Sequence, residues 1–164
     1  MAIQVAYYHS PIGWMEIRAS KKGIVRISFV QEKGEYSNRS PLLKKCKTQL
    51  EEYFDRKRKS FNLPVDLDDG TDFQVIVWKE LKKIPFGTTI TYLDLSKRLG
   101  DPHSERAVGN AVGKNPVNIV LPCHRVIGSD GKLTGYRGGL KRKKWLLDFE
   151  GAFPQMDLFA LMDT

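Results

Sequence analysis

Residues 91–113 read TYLDLSKRLGDPHSERAVGNAVG, and this stretch determines the architecture of the second half of the chain. Thr91, followed three residues later by Asp94, fits a capping box that opens a helix ending at Gly100. Ser104 can cap a further helix that runs through Gly113. Two short helices with a connection of four residues are typical of a helix-turn-helix, and we predict one here.

The second of these helices carries different residues on its two faces. Arg106, Asn110 and Gly113 recur at spacings of four and three, opposite an apolar stripe. Small residues on that face allow a partner to approach closely, and Arg106 has the longest cationic reach. The alternative is that Arg106 pairs with a nearby surface acid, an arrangement that contributes little to stability. The side chains predicted to face inward are Ala107, Val108, Ala111 and Val112.

Another amphipathic helix precedes the helix-turn-helix. Thr71 can cap this helix, which ends before Pro85. The second half of the chain is therefore predicted to be mainly helical. The apolar stripe of the preceding helix is predicted to consist of Val75, Ile76, Val77, Leu81 and Ile84.

The first half of the chain has the pattern of a small antiparallel sheet. Three short segments rich in Ile, Val and aromatic residues are separated by turn-forming residues, at 3–8, 13–19 and 23–30. A helix from Pro41 to about residue 56 would cover this sheet, and residues 61–65 are a candidate edge segment.

A domain boundary is predicted at residues 66–71, where the chain becomes acidic and turn-forming. We therefore expect an α+β protein with an N-terminal domain at 1–68 and a second domain at 69–151. A C-terminal tail at 152–164 would follow, and its apolar residues could dock as a short amphipathic turn.

Residues 122–128, PCHRVIG, place a thiol beside an imidazole and a guanidinium after an apolar run. Cationic neighbours favour the thiolate, which is the reactive nucleophile, so Cys123 is the first candidate for chemistry. The alternative is a buried cysteine that only packs. Adjacent side chains of an extended segment point to opposite faces, so His124 would act as a base through a water molecule or around a turn.

The charge of the chain suggests a polyanionic partner. The net charge is +8 and the pI is about 9.5, and residues 70–151 are more basic than residues 1–69. The densest basic run is KRKK at 141–144. This run is interpreted either as a solvated helix start or as a phosphate contact.

Cysteine usage and hydropathy indicate an intracellular protein. The two cysteines form no disulfide framework, and Cys46 falls on the apolar face of a helix, where we expect it to be core. No apolar run approaches the length of a membrane helix, and the start lacks the pattern of a signal peptide. We expect the cytoplasm, or the nucleus of a eukaryote. The three histidines and two cysteines show no paired spacing, so we predict no zinc site.

Residues 73–151 resemble the C-terminal domain of the O6-alkylguanine-DNA alkyltransferases. The match consists of many short motifs in the order and spacing of that family, so it is far less prone to chance than a single pattern. The motifs are VWK at 77–79, FG at 86–87, TY at 91–92, RAVG at 106–109, NPV at 115–117, PCHRV at 122–126, YRGG at 136–139 and WLL at 145–147 followed by EG at 150–151.

The resemblance implies a ribonuclease-H-like N-terminal domain, a winged-helix-like C-terminal domain and a single-use repair reaction. Cys123 would take the alkyl group from O6-alkylguanine, and from O4-alkylthymine, in double-stranded DNA and keep it as a thioether. Glu150 would hold His124, which deprotonates Cys123 through a water molecule. The other interpretation of Glu150 is a solvated helix terminus. Tyr92 would donate toward N3 of the departing guanine, or else only pack.

The same resemblance assigns residues to the DNA and to the base pocket. Arg106 would fill the gap left by the flipped base, because the alkyl carbon is out of reach inside a duplex. Asn115 would link the DNA-reading helix to the Cys123 segment, or else be a turn residue. Arg137 stands where many relatives carry Ser. The implied DNA contacts are Arg106, Asn110, Gly113 and Lys114, and the implied pocket residues are Val126, Tyr136 and Arg137.

Two other functions are consistent with these motifs. One is a non-catalytic lesion binder of the alkyltransferase-like kind, although such relatives replace the reactive cysteine, usually by Trp. The other is a cysteine hydrolase, which needs a residue that orients His124 and an oxyanion hole. For the alkyltransferase we expect a monomer that uses no cofactor and no metal.

Overall fold

The computed structural model describes residues 3–35 and 40–152, which form two compact units. One holds Met1–Asp69 and Pro116–Val120, and the other holds Gly70–Asn115 and Leu121–Thr164. The predicted α+β class is confirmed. The bounds 1–68 and 69–151 stay a prediction for independently folding domains. The docking predicted for the tail falls on residues 153–164, outside the described residues.

The first unit is built on a three-stranded antiparallel meander. Its strands are β1 (Gln4–Ser10), β2 (Gly13–Ala19) and β3 (Ile24–Val30), in that order across the sheet. Helix α1 (Pro41–Phe54) packs on β1 and β2, as predicted. The first turn of this helix is well capped, because the Ser40 side chain accepts from two of its backbone N–H groups. Pro41, at the first helical position, has no N–H that would need a partner. Cys46 is a core residue, and burial raises the pKa of its thiol to about 12.

Two further segments pair with β3. Val65 forms a parallel bridge to Ile24, which confirms the predicted edge segment. Pro116–Val120, which the sequence placed in the second domain, belongs to the first unit. Its Pro116 carbonyl accepts from the Ile27 N–H at 2.9 Å, and the Asn118 side chain donates to the Ile27 carbonyl at 2.9 Å. This segment therefore extends the sheet from a distant part of the chain.

The second unit contains four helices among the described residues, together with a two-stranded parallel pair and one 3-10 turn. The helices are α2 (Asp72–Leu81), α3 (Tyr92–Arg98), α4 (Glu105–Gly113) and α5 (Leu140–Phe149); the strands are β4 (Ile90–Thr91) and β5 (Val126–Ile127); the turn is Cys123–Arg125. Helix α4 packs on both α2 and α3, and the Trp78 indole donates to the Ala111 carbonyl at 2.8 Å. The predicted pair α3–α4 is present.

Three local predictions in this unit are wrong. Ile76 is 56% exposed, because Trp78 takes its place on the buried face of α2 beside Val77. Ala107 is exposed on α4. Ser104 precedes α4, but its side chain makes no capping bond: its hydroxyl donates to the Asp101 carbonyl at 2.7 Å, and its backbone lacks the extended conformation of a capping residue.

The capping residues predicted for α2 and α3 do cap these helices in the structure. Thr71 and Gln74 form a reciprocal capping box at the start of α2. At α3 the Thr91 side chain accepts from the Asp94 N–H at 3.0 Å. Within the described ranges, every helix is too short or too polar to cross a membrane.

Candidate active site

Cys123, the candidate nucleophile, is the first residue of the 3-10 turn Cys123–Arg125. The Cys123 N–H donates to the Leu121 carbonyl at 2.8 Å, and the residue is 6% exposed. Burial raises the pKa of the Cys123 thiol, although a hydrogen bond with the Asn115 side chain and the charges of Lys143 and Arg137 oppose this. The expectation that cationic neighbours favour the thiolate is therefore wrong in net direction, because desolvation of the charged form dominates. The thiol needs a base.

His124, the next residue along the chain, is the candidate base for the Cys123 thiol. It is fully buried, and its Nε2 lies 2.8 Å from Glu150 Oε2. A carboxylate only accepts, so Nε2 carries the proton and Nδ1 is left with its lone pair. No described residue is a hydrogen-bond partner of Nδ1. Burial lowers the pKa of His124 against the effect of Glu150, so the imidazole is neutral and able to accept a proton at Nδ1.

Glu150 is a buried carboxylate with several donors, and the alternative of a solvated helix terminus is wrong. Besides His124, it accepts from Arg125 Nε at 2.8 Å and Arg125 Nη2 at 2.9 Å, and from the Gly87 N–H at 3.3 Å. Burial alone would raise the pKa of Glu150, but the bonds and charges of His124 and Arg125 hold it well below its usual range. The carboxylate therefore stays ionised and fixes the imidazole.

Arg125 completes this buried ion cluster and was not predicted as a site residue. Its Nη1 donates to the Ile84 carbonyl at 2.6 Å, and its guanidinium lies 5.8 Å from the centre of the Phe86 ring. The 3-10 turn is what allows the neighbours His124 and Arg125 to reach one carboxylate, which alternating side chains of a strand would not do. The signal in the sequence was the adjacency of His and Arg, with no sign of their shared partner.

Tyr92 begins α3 and lies close to the Cys123 region. Its hydroxyl donates to the Thr134 carbonyl at 3.3 Å. Burial raises the pKa of Tyr92, the bond to Thr134 lowers it, and the charge of Cys123 raises it. A Cβ added to Gly109 of α4 would lie 3.6 Å from the Tyr92 ring, so α4 packs closely on this tyrosine.

The predicted pocket residues surround Cys123 to different degrees. Val126 is buried in β5, directly after the turn, and its N–H donates to the Cys123 carbonyl. The Tyr136 hydroxyl is buried and has no hydrogen-bond partner among residues 3–35 and 40–152. Burial raises the pKa of Tyr136 well above its usual value, and the charge of Cys123 adds to this. Arg137 is exposed, and its charge reaches Cys123.

The predicted DNA contacts lie on the outer face of α4 and at its end. Arg106, Asn110 and Lys114 are exposed and Gly113 is half-buried, whereas Val108, Ala111 and Val112 point inward. Asn115, one residue beyond Lys114, is buried, and its Nδ2 donates to the Leu121 carbonyl at 2.7 Å. Because Asn115 also bonds the Cys123 side chain, it ties the end of α4 to the turn that carries the thiol.

Lys143 is a second residue that the sequence interpretation missed. It was one of the four basic residues at 141–144 for which solvation or phosphate contact was expected, yet it is fully buried in α5.

In the part of the chain that the structure describes, no three side chains of His, Cys, Asp or Glu are grouped as a metal site would require.

Both units match one protein family. Residues 72–152 match the DNA binding domain of 6-O-methylguanine DNA methyltransferase, and residues 3–67 match its ribonuclease-like domain. The methylated-DNA–protein-cysteine methyltransferase of Methanosarcina acetivorans is 40% identical over 153 residues, which cover 90% of this chain and 97% of that relative. The chain therefore belongs to the methylated-DNA–protein-cysteine methyltransferase family, as its motifs predicted.

Solved structures agree with this assignment. The O6-methylguanine methyltransferase of Mycobacterium tuberculosis has a TM-score of 0.79 at 37% identity, covering 96% of this chain and 99% of that chain. The OGT of the same organism, solved in complex with DNA, also has a TM-score of 0.79, at 39% identity, and covers 89% of this chain and 92% of that chain. The relative solved with DNA is thus similar over most of both chains.

Proposed function

We propose that this protein repairs DNA by moving the alkyl group of O6-alkylguanine, and of O4-alkylthymine, irreversibly onto Cys123. The observation that carries the proposal is that buried Cys123 is followed in one 3-10 turn by buried His124, whose Nε2 lies 2.8 Å from the buried Glu150 carboxylate. A thiol with a raised pKa is unreactive until a base accepts its proton, and His124 Nδ1 is such a base. Glu150 is the residue that orients this base.

The proposed reaction balances without a cofactor. His124 Nδ1 accepts the thiol proton through a water molecule, and the resulting imidazolium is stabilised by Glu150. The Cys123 sulfur then forms a bond to the alkyl carbon while the bond from that carbon to O6 breaks. The electron pair passes to the guanine ring, and the Tyr92 hydroxyl turns from the Thr134 carbonyl to donate toward N3. The ring then takes up a proton from solvent while His124 releases the proton of the thiol. The product is a thioether, which has no hydrolytic exit, so each molecule reacts once.

The proposed substrate is a base flipped out of double-stranded DNA. The exposed face of α4, with Arg106, Asn110 and the half-buried Gly113, is suited to a DNA groove, and Arg106 would occupy the vacated stack. Lys114 would contact phosphate at the end of the helix. The exocyclic amine of the flipped guanine would donate hydrogen bonds to the carbonyls of Cys123 and Val126. Tyr136 and the Arg137 N–H would line the wall of the pocket near O6. We also propose that the protein acts as a monomer.

The stoichiometry of transfer tests this function. The protein is mixed with increasing amounts of duplex DNA that carries a radiolabelled methyl group on guanine O6, and protein-bound label is counted. We expect uptake to stop at one methyl group per protein molecule. Binding without uptake would indicate a lesion binder, and continued release of a small alcohol would indicate a hydrolase; either result would contradict the proposal.

Arg106→Ala should slow repair of duplex DNA far more than reaction with the free base O6-benzylguanine. Flipping a base costs a few kcal/mol, and the variant loses the side chain that fills the vacated stack. Each reaction is followed by loss of active protein under single-turnover conditions. Arg98→Ala, which removes an exposed charge from α3, is the matched control and should leave both rates nearly unchanged. Equal slowing of the two reactions by Arg106→Ala would assign this residue another role.

A further inference from the structure

Lys143 is a buried cation that the proposed reaction does not yet use. Its side chain is fully buried in α5, whereas Lys141 in the first turn of the same helix is exposed. An ammonium group is costly to bury unless it is well bonded. Burial lowers the pKa of Lys143 to about 8, against the opposing effect of Cys123. A buried lysine with a lowered pKa does not serve the solubility of the protein, so its position near Cys123 indicates another role.

The Lys143 ammonium joins two separate chain segments. It donates to the Val126 carbonyl at 2.7 Å and to the Thr134 carbonyl at 2.7 Å. Val126 lies in β5, and Thr134 lies in the loop between β5 and α5. The Tyr92 hydroxyl donates to the same Thr134 carbonyl, and the Tyr92 ring centre lies 5.9 Å from the ammonium. One buried side chain thus connects the strand after Cys123, the following loop and Tyr92.

Both carbonyls belong to segments that contribute residues to the proposed base pocket. The Val126 carbonyl is the proposed acceptor for the exocyclic amine of guanine. The Thr134 carbonyl lies two residues before Tyr136, which is proposed to line the wall near O6. A carbonyl oxygen has two lone pairs, so the bond from Lys143 does not use the whole accepting capacity of the Val126 oxygen. The ammonium can therefore hold the acceptor in place without occupying it.

We propose that Lys143 is a positioning residue that makes the pocket select guanine, by fixing the Val126 carbonyl for the exocyclic amine and tying the Thr134 segment to it. This inference rests on the proposed function. It assigns Lys143 a role in substrate selection rather than in contact with phosphate. Loss of the Lys143 hydrogen bonds should therefore slow methyl transfer from a base that carries the amine more than from a base that lacks it.

Two methylated duplexes test the role of Lys143. One contains O6-methylguanine, and the other contains O6-methylhypoxanthine, which lacks only the exocyclic amine. Single-turnover rates of methyl transfer are measured for the wild type, Lys143→Met and the control Lys141→Met. We expect the wild type and the control to prefer O6-methylguanine by about tenfold, since one hydrogen bond is worth about that factor. In Lys143→Met we expect the preference to fall to about twofold or less, through a slower reaction of O6-methylguanine.

A second variant and a folding check separate selection from general damage. Lys143→Gln has a shorter, neutral side chain that keeps N–H donors, so it should retain part of the preference, and circular dichroism verifies that each variant is folded. If both duplexes react more slowly by one factor and the preference is unchanged, Lys143 is only structural and the inference is overturned. A wild type that shows no preference overturns it too. A wild type that transfers no methyl group overturns the proposed function itself.

Discussion

Cys123→Ser is expected to take up no alkyl group from O6-methylguanine DNA while it still binds that DNA. A serine hydroxyl is a far weaker acid than a thiol, so neutral His124 cannot generate an effective nucleophile from it. Binding should persist, because phosphate contacts supply most of the affinity of a basic protein for DNA. Transfer of label and fluorescence anisotropy with the same duplex measure the two properties separately.

Cys46→Ser is the matched control for this prediction. Cys46 is also buried but lies in α1, in the core of the first unit. Its loss should leave methyl uptake complete, with at most a modest loss of stability. Methyl uptake by Cys123→Ser at the rate of the wild type would remove Cys123 from the mechanism, and loss of DNA binding in that variant would show that the thiol region also holds the duplex.

Glu150→Gln is expected to unfold at much lower urea concentration than the wild type and to lose most of its transfer activity. The substitution leaves the Arg125 guanidinium buried without its carboxylate, and breaking a buried ion pair costs about 3 to 5 kcal/mol. For a chain of this size this corresponds to roughly 2 to 4 °C in melting temperature for each kcal/mol. His124 also loses the charge that stabilises its protonated form.

The dependence of this effect on pH has a definite sign. The pKa of Glu150 is depressed in the folded protein, so its contribution to the free energy of unfolding is complete above the unfolded pKa of about 4.3 and is lost as the pH falls below it. The difference between wild type and Glu150→Gln should therefore be large at neutral pH and shrink in acid. Asp148→Asn, at an exposed position of α5, is the control. A constant difference across this range would contradict the ion cluster.

Much of the fold could be predicted because its signals are local. The alternation of apolar residues gave the meander, and turn and capping residues gave α1, α2 and the pair α3–α4. The pairing of Pro116–Val120 with β3 could not be found this way, because its partner Ile27 lies about ninety residues away in the sequence. Periodicity also misplaced Ile76, since it identifies a stripe but not which edge of that stripe is covered.

The candidate site was predicted through its motifs, and its electrostatics were not. Composition favours solvation for charged side chains, yet Arg125, Lys143 and Glu150 are buried. Their partners are backbone carbonyls and side chains distant in the sequence, which no local pattern marks. For the same reason the raised pKa of Cys123 was missed: adjacent cations are visible in the sequence, whereas the depth of burial is not.

The measurement that tests the central claim most directly is peptide mass mapping after reaction with one equivalent of O6-methylguanine duplex. The protein holds two cysteines, both buried, so Cys46 is an internal reference for unspecific methylation. We predict that the peptide with Cys123 gains the mass of one methylene group in nearly every molecule, and that the peptide with Cys46 is unchanged. An unmodified Cys123 in a sample whose DNA has lost its methyl group would contradict the account.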